Sequence, residues 1–213
     1  MIRDIPTKLL EKMIACGVWS AECPVHYKRL KYVCVEYINF DGDLEVGHLV
    51  VFDIVAEYVV NIFQQLKQNK FPIHQIKTIN LFGGSDELSM KSNNSSAFNY
   101  RGIAESDKLS IHSYGLAIDI NPKQNPYIIK KSNEEIVFPR SGKEFLDRSK
   151  SFKGKISNKE VIIFKENKFI CWGGEWKDPI DYQHFEIPRI HAERLIKMSY
   201  DDGKSYLNSG IFS

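Results

Sequence analysis

Apolar and polar positions follow two periods along this chain, and the period changes where the elements change. Residues 30–40, LKYVCVEYINF, are rich in β-formers. The turn DGD at 41–43 joins them to a second apolar run, HLVVF, which predicts a hairpin. Beyond it Ile54, Val55, Tyr58, Val59, Ile62, Phe63 and Leu66 recur at i, i+3, i+4 and predict a helix of more than three turns, with Asp53 as its cap. Residues 6–16 predict a shorter helix, with Leu9, Leu10, Met13 and Ile14 on one side and Gly17 as its stop. After Pro72, QIKTINLF reads as a strand, and GGSDELSMKSNNSSAFNY as a long loop of the kind that forms a functional rim. Ser157 and Glu160 supply an S-x-x-E capping box, FICWGGEW and YQHFEI read as extended around a glycine turn, and Pro188 starts a last helix carrying Leu195 and Met198 inward. Strands and helices without β-α-β alternation predict an α+β fold, a small, mostly antiparallel sheet with helices packed against it, in a single domain over 1–213.

Composition narrows the classes of function. With 29 basic and 27 acidic residues the net charge is +2, spread without long like-charge blocks, so nothing calls for nucleic acid as a partner. Clusters such as KRLK at 28–31 read as solvated faces. No stretch approaches the roughly 20 apolar residues of a membrane span, and the opening MIRDIPTKLLEKMIACGVW lacks the apolar core of a signal peptide. As written the chain is expected in the cytoplasm, unless lysis, another export route or trimming of a leader intervenes. Cys16, Cys23, Cys34 and Cys171 have no metal-binding spacing and read as free thiols.

The segment SIHSYGLAIDINP at 110–122 changes this picture, because Asp119 interrupts an apolar run. A carboxylate there is costly unless something positive meets it. As a strand, LAIDIN puts Leu116, Ile118 and Ile120 on one face and Ala117, Asp119 and Asn121 on the other, with His112 able to fold back over Asp119. In DYQHFEI, Tyr182, His184 and Glu186 share a face opposite Phe185 and Ile187, and Asp181 sits where the strand starts. Two histidines and a carboxylate make a three-donor set for zinc with a fourth position left for water, but spacing alone leaves a structural reading of each histidine equally open.

The spaced residues Ser110-x-His112-x-x-Gly115-x-Ala117-x-Asp119 and Asp181-x-x-His184 resemble the signature of the D-alanyl-D-alanine carboxypeptidase and L-alanyl-D-glutamate endopeptidase family, which includes VanY-like enzymes and phage endolysins. SMKSNNSSAFNYR, INPKQNPYI and WGGEWKDPIDYQHFE extend the resemblance over most of 45–187. It implies a fold like the D-Ala-D-Ala peptidases and hedgehog domains, one Zn2+ ion held by His112, Asp119 and His184, and peptidoglycan stem peptides as substrate. It further implies Asp181 as general base and Arg101 as the oxyanion stabiliser. Tyr100 stands where relatives often have cysteine, beside Arg101. Binding a structural carboxylate stays open for Arg101, and a surface ion pair for Asp181. Glu186 is expected either behind His184 or toward solvent, Ser110 as a local hydrogen-bonding residue, Trp176 and Tyr114 along a groove, and Trp172 in the core. His26, His48, His74 and His191 read as structural. Which stem-peptide bond is cut, and the oligomeric state, are not fixed by these residues. An intracellular peptidase acting on wall fragments or dipeptides, and a zinc-stabilised binding domain without turnover, are the alternatives.

Overall fold

The alternation of residues 30–52 closes into a long hairpin in the computed structural model, which describes residues 1–103, 106–131 and 134–209. In chain order the strands are β1 (Ile2–Asp4), β2 (Leu30–Ile38), β3 (Leu44–Phe52), β4 (Gln75–Ile76), β5 (Asn94–Ser95), β6 (Ala117–Asp119), β7 (Tyr127–Lys131), β8 (Glu134–Phe138), β9 (Cys171–Trp172), β10 (Ile180–Asp181) and β11 (His184–Glu186). The helices are α1 (Thr7–Ala15), α2 (Ala56–Gln68), α3 (Asp86–Lys91), α4 (Asn158–Glu166), α5 (Arg189–Leu195) and α6 (Tyr200–Asn208). Antiparallel pairing is divided among three small sheets, ordered β1-β2-β3, β10-β7-β8 and β6-β11-β9, while β4 and β5 pair in parallel. This is the expected α+β architecture, with the antiparallel strands shared out rather than gathered in one sheet. Among the described residues, no helix is long and apolar enough to cross a membrane.

The helical stripe of α2 buries Val59, Ile62, Phe63 and Leu66 against β2, joining a core that runs through Leu49, Phe52, Leu116, Ile118, Phe164 and Phe185. Asp53 is not the cap of α2. It opens a short 3₁₀ turn, and its carboxylate instead accepts two hydrogen bonds from Arg29, at 2.5 Å from Nε and 3.0 Å from Nη2. A bidentate charged pair is worth more than one cap bond, so the pair wins. The predicted capping box of Ser157 and Glu160 does open α4. QIKTINLF forms strand only at β4, then turns into a 3₁₀ segment. The hairpin β7–β8 and helix α6 were not predicted.

The largest departure concerns the segment read as a loop. Ser85 caps α3, and residues 93–99 then run buried beneath the sheets. Their asparagines take over the hydrogen-bonding work of a ladder. Lys77 N–H donates to Asn94 Oδ1 at 2.8 Å, and Asn94 Nδ2 donates to Lys77 O and Ser89 Oγ, both at 2.9 Å. Farther on, Asn121 is fully buried at φ 46°, a left-handed conformation that asparagine tolerates better than most residues. Its Nδ2 donates to Pro72 O (2.9 Å) and Gly154 O (3.2 Å), and its Oδ1 accepts His74 N–H (2.9 Å).

Asn121→Ala takes the side-chain partner from Pro72 O and His74 N–H, leaves Gly154 O to Asn125 Nδ2 alone, and forces alanine into a left-handed conformation. It is expected to cost about 3 kcal/mol or more, read by urea denaturation, and a loss under about 0.5 kcal/mol would contradict this account.

Candidate metal centre

Each residue of the spaced signature has a local reason for its place. Ser110 Oγ accepts the backbone N–H of His112 at 3.3 Å and so starts a 3₁₀ turn over Ile111–Tyr114. Gly115 ends the turn at φ 67°, and a Cβ there would lie 2.6 Å from the backbone nitrogen of Phe52. That nitrogen donates to Gly115 O at 2.9 Å, pinning the turn against β3. The chain then passes Leu116 into β6, and Leu116, Ala117 and Ile118 are fully buried. Asp119 is held on both sides, exchanging backbone bonds with Ser96 and pairing in register with His184 of β11.

Because Asp119 and His184 are cross-strand partners and the 3₁₀ turn brings His112 over them, three donors converge. His112 Nε2 lies 3.1 Å from Asp119 Oδ2 and 3.2 Å from His184 Nδ1, and His184 Nδ1 lies 3.0 Å from Asp119 Oδ1. All three side chains are buried, with one ligand-type atom from each within 4.8 Å of the others. Each imidazole is also fixed from behind. His112 Nδ1 donates to the carbonyl of Ala97, which turns Nε2 inward. His184 Nε2 donates to Glu186 Oε2 at 2.9 Å, which turns Nδ1 inward. Glu186 thus takes the position behind His184 rather than the solvent-facing one. Two imidazoles and a carboxylate, buried and oriented by outer partners, are a donor set that fits a divalent metal. Among the described residues no other such group is found.

The electrostatics of the metal-free cluster match its geometry. Burial alone would raise Asp119, but His112 and His184 outweigh it and hold the carboxyl well below its usual range. Burial alone would lower His184; the hydrogen bonds to Asp119 and Glu186 prevail and keep it well above its usual value. Asp181 is different. Burial, against the pull of His184 and with the push of Asp119, raises it to about 7. The residue as a whole is half-buried, yet its Oδ1 is shielded and has no hydrogen-bond partner. Gly173 makes room for it, since a Cβ there would sit 2.8 Å from that of Asp181.

Arg101 is tied to the turn of His112 through Ser113. Its backbone N–H donates to Ser113 Oγ and its carbonyl accepts from the same hydroxyl, both at 2.9 Å, so the turn carrying His112 also carries Arg101. Nη2 of its guanidinium lies 3.1 Å from Asp86 Oδ2, while Nε is buried and has no partner. Its charge acts on Asp181 and on Tyr127, which faces Asp181 across the β7–β10 pairing. Trp176 lies over His184, with ring centroids 5.5 Å apart, whereas Tyr114 is buried. Trp172 stacks on Phe185, as a core residue. Sequence reasoning passed over Asp86, Ser113 and Tyr127. The Ser-Asp-Glu run that caps α3 was the only trace of Asp86, and it was read as part of a loop.

Residues 104–187 match the family model described as D-alanyl-D-alanine carboxypeptidase, so the family recognised in the sequence is the one that matches, and it is a family of peptidases. The match takes in His112, Asp119, Asp181 and His184; Arg101 and the resemblance read over 45–103 lie upstream of it. No curated protein and no solved structure matches the chain.

Because its folded pKa is raised, the Asp181 carboxyl supports the fold fully below about 3.9, its ordinary value, and that support is lost as pH rises through about 7. Metal-free Asp181→Asn is therefore expected to gain stability relative to the parent between about pH 4 and pH 8. Chemical denaturation across that range is the check, and a difference that does not vary with pH contradicts it.

Proposed function

We propose that the chain is a zinc-dependent peptidase hydrolysing bonds of peptidoglycan stem peptides, either as a D-Ala-D-Ala carboxypeptidase or as an L-Ala-D-Glu endopeptidase. The observation that carries this reading is a pair of buried, unpartnered polar atoms, Asp181 Oδ1 and Arg101 Nε, in the neighbourhood of a convergent His-Asp-His set. Stranding two such atoms costs stability, and a fold tolerates that where a ligand completes them.

His112 through Nε2, His184 through Nδ1 and Asp119 would hold the zinc. Zinc bound there would polarise a carbonyl oxygen and bring the pKa of a coordinated water down to about 7. Asp181 serves as the proton carrier: it takes a proton from the attacking water and delivers it to the amine that leaves. Its raised pKa suits that exchange near neutral pH. Arg101, with Nε unspent, donates to the scissile oxygen as negative charge grows there. Ala97 O and Glu186 hold the two imidazoles in the tautomers that face inward. Trp176 shields one side of His184 from water.

Asp119→Ala is expected to abolish both metal uptake, measured by elemental analysis, and hydrolysis; full metal stoichiometry in that variant would refute the ligand set. Asp181→Asn is expected to keep its metal and lose about a hundredfold or more in kcat, and parent-like turnover would remove Asp181 from its role. Mass spectrometry of products from purified peptidoglycan with added zinc reports which bond is cut. Parallel digestion of soluble muropeptides tests the wall-fragment alternative.

A further inference from the structure

A residue outside the spaced signature bears on the same reaction. We propose that Asp86 is the positioning residue for Arg101: it holds the guanidinium by Nη2, leaves Nε for the substrate oxygen, and keeps the guanidinium off Asp181. The inference rests on the reading of Arg101 given above.

Ser113 fixes where the Arg101 side chain begins, through its two backbone bonds, but not where the guanidinium ends. A permanently charged, partly buried guanidinium seeks a carboxylate. Among the described residues two are within its influence: Asp86, at 3.1 Å, and Asp181, on which its charge acts. Pairing with Asp181 would tie up the proton carrier and the oxyanion donor together. Asp86 removes that outcome by offering a partner within ion-pair distance. It is itself held firmly, in the first turn of α3, where Ser85 Oγ accepts Leu88 N–H at 3.2 Å. The bond from Asn94 Nδ2 to Ser89 Oγ ties α3 to β5, from which the chain runs on to Arg101, so both ends of the ion pair are referred to one frame. The side chains of Arg101 and Asp86 are 32% and 26% exposed, so the pair adds little to stability, and its effect is expected in catalysis instead.

The test compares Asp86→Asn, Asp86→Glu, Arg101→Lys and the double variant with the parent, all zinc-loaded. Asp86→Asn is expected to melt close to the parent and to bind metal fully. Its kcat should fall about tenfold with KM within about twofold, partly recovered in Asp86→Glu, and the double variant should be no slower than Arg101→Lys alone. Without substrate, the 1H–15Nε resonance of Arg101, identified by its loss in Arg101→Lys, should be sharp in the parent and shifted or broadened in Asp86→Asn. An unchanged resonance overturns the proposal, as does parent-like kcat in Asp86→Asn. A changed resonance in a parent that cleaves no stem peptide supports the clamp and overturns the assigned reaction.

Discussion

A carboxylate on a buried strand has to be neutralised, and Asp119 meets that demand with two imidazoles brought from separate segments. One arrives in sequence, seven positions earlier on a 3₁₀ turn; the other arrives by strand pairing, opposite Asp119 in the β6–β11 register. A shift of that register by one residue would exchange Phe185 for His184 and leave the charge stranded in the core. The cluster and the small sheet therefore specify one another. Asp119 and Glu186 hold His184 well above its usual value, so a protonated imidazole can do the neutralising. A divalent cation would take over the same duty, expelling that proton as it binds.

Around this charge the chain builds a shell of uncharged polar groups where an ordinary core would be apolar. Asn93, Asn94, Ser95, Ser96 and Asn99 are buried in one stretch, and Asn121 and Asn125 in another. Most of their bonds go to backbone, which lets irregular chain run through the interior without orphaned N–H and C=O groups. That irregular interior is what places Ala97 O behind His112 and hands the chain on to Arg101.

These two layers explain what could be read from the sequence. The amphipathic stripe of α2, the hairpin of β2 and β3 and the capping box of α4 announce themselves because periodicity and end signals are local properties. The grouping of His112, Asp119, Asp181 and His184 was visible through the spaced signature. The buried run at 93–99 was not, since serine and asparagine carry the same composition whether they bond to water or to a hidden backbone. Asp86 was hidden for a related reason: an acidic residue after a serine is fully accounted for by a helix start, and only the folded chain shows its carboxylate turned toward Arg101. Asp53 erred in the opposite sense, being read as a helix start when its partner was Arg29, twenty-four positions away.

The cross-strand contact between Asp119 and His184 joins positions 65 apart. An ion held between them would act as a crosslink on the chain, subtracting the closure entropy of a loop that contains β7, β8 and α4. Loss of the ion would thus loosen more than its own ligands. The β7–β8 hairpin pairs with β10, which carries Asp181, so the same event would loosen that hairpin and Asp181 together.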